Sequence, residues 1–549
     1  MKMENNKNSM HFPGIRTCLM QLAALILISA FAFWVNRDIV IKGLYMDDLY
    51  MWSCYGEQGL LEFAFPIGTS TRFRPVYWLA TYLQMAIIGT HVDRFAAFNV
   101  VINIFAAMEI FYMAKRIARD GLTGYAAGLI SAICYLASRF SYYQIGQALG
   151  LMETMGLMMA LYVFYRLFMY SRNGAGEKGF YSALLMYFLI VFVHERYLCL
   201  FPLFYLALII KVRWVEEGSR YRYIRQREIL LKWITPAVVL MLIVAIRTLA
   251  IGTALPAGTG GTEVTDTFNI GQAMSFCIDQ VLYIFGVNAG PEYLNGLEWT
   301  DTPWQIKRAV KYSVLFIGLL CIAFALSVIV EAVNTVRKKD LVLDCGKLLW
   351  DNVSAVLMFI SFIALCIGCS SVTIRVEMRW IYVSYAAALL FASYMLGAVK
   401  AAAELYLKEK VASAAGAAVA AAAVIMFLLY GILSTGTNIF YRGYFDRLYF
   451  WPDQLRMNSL AEETIEKYGT EGVFGKDIYI IGNTYGMSEF YADTFFKPYD
   501  PEKKAEGTDV IFIESITEVP AEEVRDGHAL VLTEVPEENA YRDITEELK

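Results

Sequence analysis

Two adjacent carboxylates beside an apolar run are the strongest candidates for chemistry in this sequence. Asp47 and Asp48 lie within Tyr45-Met-Asp-Asp-Leu-Tyr-Met-Trp52, shortly after the apolar run 17–36. One carboxylate of such a pair can accept a proton from an acceptor hydroxyl, while the other orients that hydroxyl or holds a divalent cation, Mg or Mn. A solvated loop pair or a helix N-cap is the simpler alternative. Asp47 and Asp48 are therefore candidate catalytic residues and, if a metal binds, its candidate ligands.

Arginines at the edges of apolar stretches are candidate phosphate ligands. Arg74 precedes Pro75 at the start of an apolar helix, and Arg375-Val-Glu-Met-Arg379 forms a short turn before another apolar run. A guanidinium group binds phosphate through two parallel hydrogen bonds, and a helix N-terminus adds a favourable dipole. Glu377 would hold one of the two arginines of the turn in place. Headgroup contacts for Arg74 and a surface salt bridge in the turn are the alternatives.

A third charged group interrupts an apolar region at His194-Glu195-Arg196. Ionisable residues in such surroundings are costly and usually have a partner or a function. Glu195 and Arg196 either pair with each other or serve a site, in which Glu195 positions a catalytic group. His194 and Glu195 are kept as candidate substrate-binding residues.

The composition excludes most soluble functions. Of the 549 residues, 58% are hydrophobic and 18% are charged, and the mean hydropathy is +0.46. A soluble chain carries about 25% charged residues. These values exclude a soluble enzyme, a disordered protein and a nucleic-acid-binding protein, and they indicate a multi-pass membrane protein.

Apolar runs long enough for helices must position these groups, because a spanning helix needs about 20 mostly apolar residues. The sequence predicts eleven spans, at 17–36, 94–114, 122–138, 148–169, 180–194, 197–211, 233–251, 310–332, 353–371, 380–399 and 411–432. The two runs around His194 alternatively form one bent hairpin.

Basic residues favour one orientation of these spans. Lys and Arg cluster before the first span and after the second, fourth, sixth, eighth and tenth, most densely after the sixth. Since such clusters concentrate on the cytoplasmic side, the N-terminus is predicted to be cytoplasmic in a cell membrane. The outer face then carries the C-terminal segment 433–549 and the connections 37–93, 139–147, 194–196, 252–309 and 372–379.

The chain is predicted to divide into a membrane domain, 1–432, and an acidic tail, 433–549. From Asp453 onward there are 9 basic and 23 acidic residues, which leaves 38 basic and 29 acidic residues before it. The runs 477–481, 510–514 and 529–533 are typical of short buried strands, and 453–468 has helical spacing. We expect a small extracytoplasmic α/β domain without a catalytic constellation.

The cysteines are predicted to pack as small apolar residues. Cys366 and Cys369 form a Cys-x-x-Cys pattern inside an apolar run, without a second pair of cysteines. A structural zinc ion requires four ligands, and a free thiol in apolar surroundings behaves as a small hydrophobe.

The order of the charged motifs resembles that of the GT-C superfamily of membrane glycosyltransferases, over roughly residues 17–400. The shared features are an Asp-Asp pair after the first span, an Arg-Pro-aromatic stretch later in the same loop, and an outer Arg-x-Glu-x-Arg turn before a late span. Branches similar to the protein O-mannosyltransferases, and their bacterial relatives that depend on polyprenyl-phosphate sugars, are nearest in pattern.

This resemblance implies an all-α polytopic fold and transfer of a sugar from a polyprenyl-phosphate donor with inversion of the anomeric centre. Asp47 or Asp48 would be the base, with Asp47 preferred, and Arg74, Arg375 and Arg379 would hold the departing lipid phosphate. Membrane lipids would surround the enzyme, and a divalent cation is used by some members only. The loop 139–147 lacks the acidic residue that many relatives carry there, so the acceptor stays open.

Three alternatives remain, one of which is a catalytically inactive scaffold that presents the tail domain. A polysaccharide polymerase or ligase would act on lipid-linked glycans without needing the Asp pair. A transporter or lipid flippase would place ionisable residues near the midplane of several helices and often shows inverted repeats, whereas here the acids cluster near the predicted outer ends and no repeat is visible.

Overall fold

The computed structural model describes most of the chain, with gaps between elements. The described residues are 15–39, 41, 48, 51, 54–55, 58–68, 72–89, 94–172, 177–213, 226–252, 269–287, 290, 298–337, 342–373, 375–406, 413–443, 460, 464–484, 496, 508–538 and 540–549.

Apolar α-helices build the membrane part. In chain order they are α1 (Ile15–Val35), α2 (Leu60–Ala64), α3 (Pro75–Ile88), α4 (Arg94–Ile117), α5 (Gly121–Ala137), α6 (Arg139–Ile145), α7 (Leu151–Ser171), α8 (Glu177–Val191), α9 (Phe201–Arg213), α10 (Arg227–Ile251), α11 (Ile270–Ile284), α12 (Trp304–Arg337), α13 (Val342–Ser371), α14 (Met378–Tyr406) and α15 (Ser413–Arg442). Each of the eleven predicted spans coincides with one of these helices.

Eight of the described helices are long and apolar enough to cross a membrane, and they support a multi-pass membrane protein. Their apolar stretches are Thr17–Val35, Arg94–Ile117, Leu151–Ser171, Ile229–Ile251, Trp304–Val333, Leu348–Ser371, Met378–Glu404 and Gly416–Arg442. The predicted spans 122–138, 180–194 and 197–211 correspond to the shorter helices α5, α8 and α9.

The ends of two predicted segments differ from the structure. The sequence predicts one connection over 37–93, but this part of the chain contains α2 and α3. The last span was predicted to end at 432, whereas α15 continues to Arg442, so the boundary assigned between the two domains falls inside a helix. Polar residues such as Thr435 and Asn438 interrupt the apolar run without ending the helix, because their side chains bond inside the bundle.

Helix α14 is the centre of the bundle. Of the most apolar 18 residues of this helix, 78% are buried inside the protein. The corresponding share is 17% for α1 and 22% for α12 and α15. Small residues allow this close packing: Ser393 of α14 bonds to Ser131 at 3.0 Å, and a Cβ at Gly397 would lie 2.8 Å from the backbone of Ala118. The outer helices therefore present their apolar faces to lipid.

The C-terminal segment contains a four-stranded sheet. Its strands are β1 (Asp477–Ile481), β2 (Val510–Ile513), β3 (Ala529–Val535) and β4 (Ala540–Asp543), in the order β2-β1-β3-β4. The pairs β1–β2 and β1–β3 are parallel, and β4 is antiparallel to β3. The predicted fold class, an all-α polytopic membrane protein with a small C-terminal α/β domain, is confirmed, and β4 is a strand that the sequence analysis did not predict.

Candidate functional site

A buried ion pair between Arg74 and Glu195 forms the centre of the site. Arg74 is the N-cap of α3, and Pro75 begins the helix because proline fits a first helical position. Its Nε and Nη2 donate to Oε2 and Oε1 of Glu195 at 2.8 and 2.7 Å. Beside this pair, the ring of Phe73 lies edge-on to that of Phe192, with the ring centroids 5.9 Å apart.

The pair stays charged although it is buried. Burial alone would raise the pKa of Glu195, but the guanidinium of Arg74 holds it well below its usual range. Burial likewise opposes the charge of Arg74, and Glu195 raises the pKa of that guanidinium above its usual value. Both residues lie outside the spanning helices, so a permanently ionised pair is built into the end of the bundle.

The same turn carries a second ion pair. Arg196 lies in the 3₁₀ helix Glu195–Leu200 and binds Glu153 of α7 through both terminal nitrogens, while Nη2 also donates to the hydroxyl of Tyr197 at 2.9 Å. One interpretation of the sequence was that Glu195 and Arg196 pair with each other. The structure instead gives each of them a different partner. They bind two different elements, α3 and α7.

His194 is buried between these pairs and is neutral. Its Nδ1 accepts the backbone N–H of Arg196 at 3.2 Å, which leaves the ring proton on Nε2 as a donor. Burial is the largest influence that lowers the pKa of His194 well below its usual value, followed by the charge of Arg74. The residue can thus donate a hydrogen bond to a ligand without adding a charge.

Glu377 holds both arginines of the late turn. Its carboxylate is 2% exposed, with Oε1 at 2.5 Å from Nε of Arg375 and Oε2 at 3.5 Å from Nε of Arg379. This arrangement is more than the surface salt bridge that the sequence left open. The charge of Arg379 also acts on Arg74 and on His194, so the late turn and the His194–Arg196 turn belong to one electrostatic cluster.

Arg247 is a further member of this cluster. It lies near the end of α10 and is 1% exposed, and its charge interacts with Glu195 and Arg74. Its Nε and Nη1 have no hydrogen-bond partner among the described residues. The available sequence signal was an arginine inside an apolar span, which usually marks a function.

Of the two candidate aspartates, the structure describes one. Asp48 is described and is buried at 7% exposure, whereas Asp47 lies outside the described residues. Among the described residues no group of three His, Cys, Asp or Glu side chains could hold a metal ion. Their roles as base and metal ligands stay predictions.

Two of the solved structures that are similar to this chain align over nearly its whole length. The crystal structure of ArnT from Cupriavidus metallidurans bound to undecaprenyl phosphate aligns with a TM-score of 0.46 and 9% identity, covering 96% of this chain and 94% of that one. The apo state of the same protein aligns with a TM-score of 0.49 and 10% identity, covering 95% and 94%. No family model and no curated protein sequence matches the chain. The functional assignment therefore depends on the residues of this chain.

Proposed function

We propose that this chain is an integral membrane glycosyltransferase that moves a sugar from a polyprenyl-phosphate donor to an acceptor at the outer face of the membrane. Transfer inverts the anomeric centre, and an aspartate of the first outer loop is the base. The N-terminus is cytoplasmic and the C-terminal α/β domain extracytoplasmic. The acceptor and the sugar stay open.

An excess of positive charge among the described residues carries this proposal. In the described part of the chain the cluster holds five arginines, Arg74, Arg196, Arg247, Arg375 and Arg379, against the three glutamates 153, 195 and 377, which gives a net charge of +2 with His194 neutral. The side chains of Arg375 and Arg379 are 43% and 25% exposed, and the other charged groups are buried, with 10% exposure or less. A departing lipid phosphate carries a charge of about −2. Donors that are already oriented stabilise such a developing charge better than water does.

Arg247 is the residue best suited to contact the phosphate. The guanidinium of Arg74 is bound on two sides by Glu195, and its Nη1 lies 3.6 Å from the sulfur of Met152. Arg247 has unpartnered N–H groups among the described residues. A buried charged donor without an acceptor is costly, and a phosphate oxygen would satisfy it.

The glutamates of the cluster are poorly suited to act as the base, which favours the aspartates. Glu153, Glu195 and Glu377 each accept guanidinium hydrogen bonds, and the pKa of Glu195 is held well below its usual range. A general base works best with a pKa near the working pH. Asp47 and Asp48 remain as the base and its orienting partner.

A divalent cation is a further part of the proposal. Asp48 is a buried carboxylate, and Mg or Mn would need additional oxygen ligands from Asp47 and from the donor phosphate. Such a cation would supply extra positive charge at the phosphate. The arginine cluster alone can orient that group.

Sugar transfer from a polyprenyl-phosphate donor, measured with purified protein in lipid nanodiscs, tests the proposal. Asp47→Asn and Asp48→Asn are expected to abolish transfer, and Arg247→Gln is expected to lower kcat/KM by about 100-fold or more. Arg308→Gln is the matched control, because Arg308 stacks on Trp304 at the start of α12.

Wild-type transfer by the Asp47→Asn and Asp48→Asn variants would remove both aspartates from the mechanism. Unchanged kcat/KM in Arg247→Gln would remove the phosphate contact. Flux of a lipid-linked substrate through vesicles without any glycosylated product would instead favour the transporter or flippase.

A further inference from the structure

Two lysines meet at the end of the bundle that lies away from the arginine cluster of the candidate site. The ammonium group of Lys211, near the end of α9, lies 4.9 Å from the centre of the Tyr170 ring of α7. The ammonium group of Lys232 in α10 lies 5.9 Å from the same ring and 6.0 Å from that of Tyr181 in α8. Four helices thus place two positive charges around one aromatic ring.

The lengths of α7 and α10 place these lysines at the opposite boundary of the membrane. Glu153, in the first turn of α7, belongs to the arginine cluster, and Ala250, near the end of α10, accepts the backbone N–H of Gly68 in the first outer loop at 2.9 Å. At about 1.5 Å per residue, Tyr170 lies about 26 Å along α7 from Glu153, and Lys232 lies about 27 Å along α10 from Ala250. The hydrocarbon layer is about 30 Å thick. The lysines therefore lie near the headgroups of the other leaflet.

Positive charge is in excess at this end of the bundle. The ion pairs of the described residues there give five basic side chains three carboxylates to share: Lys115–Asp120, Arg116–Asp120, Arg119–Asp351, Arg172–Asp351 and Lys400–Glu404. Lys211 and Lys232 add two further positive charges to this layer. An anion from the membrane surface would offset part of this charge.

The exposure of the two lysines fits a phospholipid headgroup. Lys211 is partly exposed, whereas Lys232 is 1% exposed. A phosphate oxygen can therefore contact Lys211 directly, while the charge of Lys232 attracts it from within the protein. Tyrosine rings are typical of the lipid–water boundary, where their polar ends reach the headgroups. A zwitterionic headgroup carries a positive group of its own, which these lysines would repel, so the pair favours an anionic lipid.

We propose that Lys211 and Lys232 bind the phosphate of an anionic phospholipid, such as phosphatidylglycerol, in the leaflet opposite the candidate functional site. The bound headgroup joins the ends of α9 and α10 at the ring of Tyr170. This inference depends on the membrane-spanning fold and does not depend on the sugar transfer proposed above.

Native mass spectrometry of the full-length protein tests the site, after removal of lipid in detergent and titration with phosphatidylglycerol. Each lysine near a membrane surface contributes an amount equivalent to about a 5-fold change in affinity. Lys211→Gln and Lys232→Gln should each weaken binding of the tightest phosphatidylglycerol by about 5-fold, and the double variant by about 30-fold. Phosphatidylcholine with the same acyl chains should bind the wild type and the double variant equally.

Lys307→Gln is the matched control. The ammonium group of Lys307 lies 6.0 Å from the ring of Trp299, and the residue belongs to the first turn of α12, at the other end of that long helix. This lysine also lies over an aromatic ring but not at the proposed site. Its replacement should leave the affinity for phosphatidylglycerol unchanged.

Two results would overturn the proposal. One is equal affinity of the wild type and the double variant for phosphatidylglycerol. The other is equal affinity of the wild type for phosphatidylglycerol and phosphatidylcholine. If the double variant fails to fold, the single variants decide. Lys211→Arg keeps the charge and should retain binding, so a loss equal to that in Lys211→Gln would show that the side chain only supports the structure.

Discussion

Replacing Glu195 by Gln removes the charge opposite Arg74 while it keeps the shape of the side chain. The two side chains are 7% and 8% exposed, and their two hydrogen bonds are 2.7 and 2.8 Å long. Removing one partner of a buried ion pair leaves an uncompensated charge and costs about 3–5 kcal/mol. We therefore expect Glu195→Gln to lower the free energy of unfolding by about that amount.

This change is measured by unfolding the protein in mixed micelles with an increasing fraction of dodecyl sulfate. Circular dichroism monitors the loss of structure. The double variant Arg74→Met with Glu195→Gln should recover most of the loss, because no buried charge is then left alone. The matched control is Asp38→Asn in the exposed pair Arg37–Asp38, 3.5 Å apart with side chains 57% and 80% exposed. That substitution should change stability by no more than about 0.5 kcal/mol.

Acid dependence provides an independent check on the same pair. The pKa of Glu195 is lowered in the folded protein below its ordinary value of 4.5, so the unfolded chain takes up a proton first as the pH falls. The stabilising contribution is then fully present above about pH 4.5 and is lost as the pH drops toward the folded pKa. Glu195→Gln should lack this loss.

A Glu195→Gln variant whose free energy of unfolding lies within about 1 kcal/mol of wild type at neutral pH would refute the reasoning, since the charge of Arg74 would then not need Glu195.

Two further predictions concern the same turn. Burial and the charge of Arg74 lower the pKa of His194 well below 6.5, so the unfolded chain alone gains this proton on acidification. The free energy of unfolding should fall below about pH 6.5, by up to about 1.4 kcal/mol per pH unit. His194→Gln should flatten that slope in the micelle titration. An identical slope in this variant would show that other groups cause the fall. Gly156→Ala places a Cβ 2.6 Å from the hydroxyl of Tyr197 and should destabilise by about 1–3 kcal/mol. Gly318→Ala, with nothing within 4 Å, should show no loss, and equal thermal unfolding of the two variants would contradict the steric argument.

The helices and the late turn could be predicted because their signals are local. Every predicted span coincides with a helix, since apolar length alone specifies such elements. Arg375, Glu377 and Arg379 are two residues apart, and the structure joins all three through the central carboxylate. In both cases the partners that determine the structure are neighbours in sequence.

Long-range partners could not be predicted from the same signals. The sequence marked Arg74 and Glu195 separately, but they pair across 121 residues, where the chain also packs Phe73 on Phe192. The pairing of Arg196 with Glu153 depends in the same way on how α7 lies against the turn. An ion pair in a membrane protein is specified by helix packing, and one sequence contains little information on which helices meet.

Two buried arginines show why hydrogen-bond partners, and not burial, distinguish a ligand site. Arg139 is as buried as Arg247, and both interrupt apolar surroundings. Arg139 donates from Nη1 to Asn438 at 3.0 Å and from Nη2 to the backbone oxygen of Tyr283 at 2.7 Å, so it joins three parts of the bundle. Arg247 has two nitrogens without acceptors among the described residues. Its neighbours in the cluster are Arg74 and Glu195, which are already bound to each other. Replacing Arg139 should therefore mainly lower the free energy of unfolding, whereas replacing Arg247 should mainly weaken the binding of an anion. Both quantities can be measured on the two variants side by side.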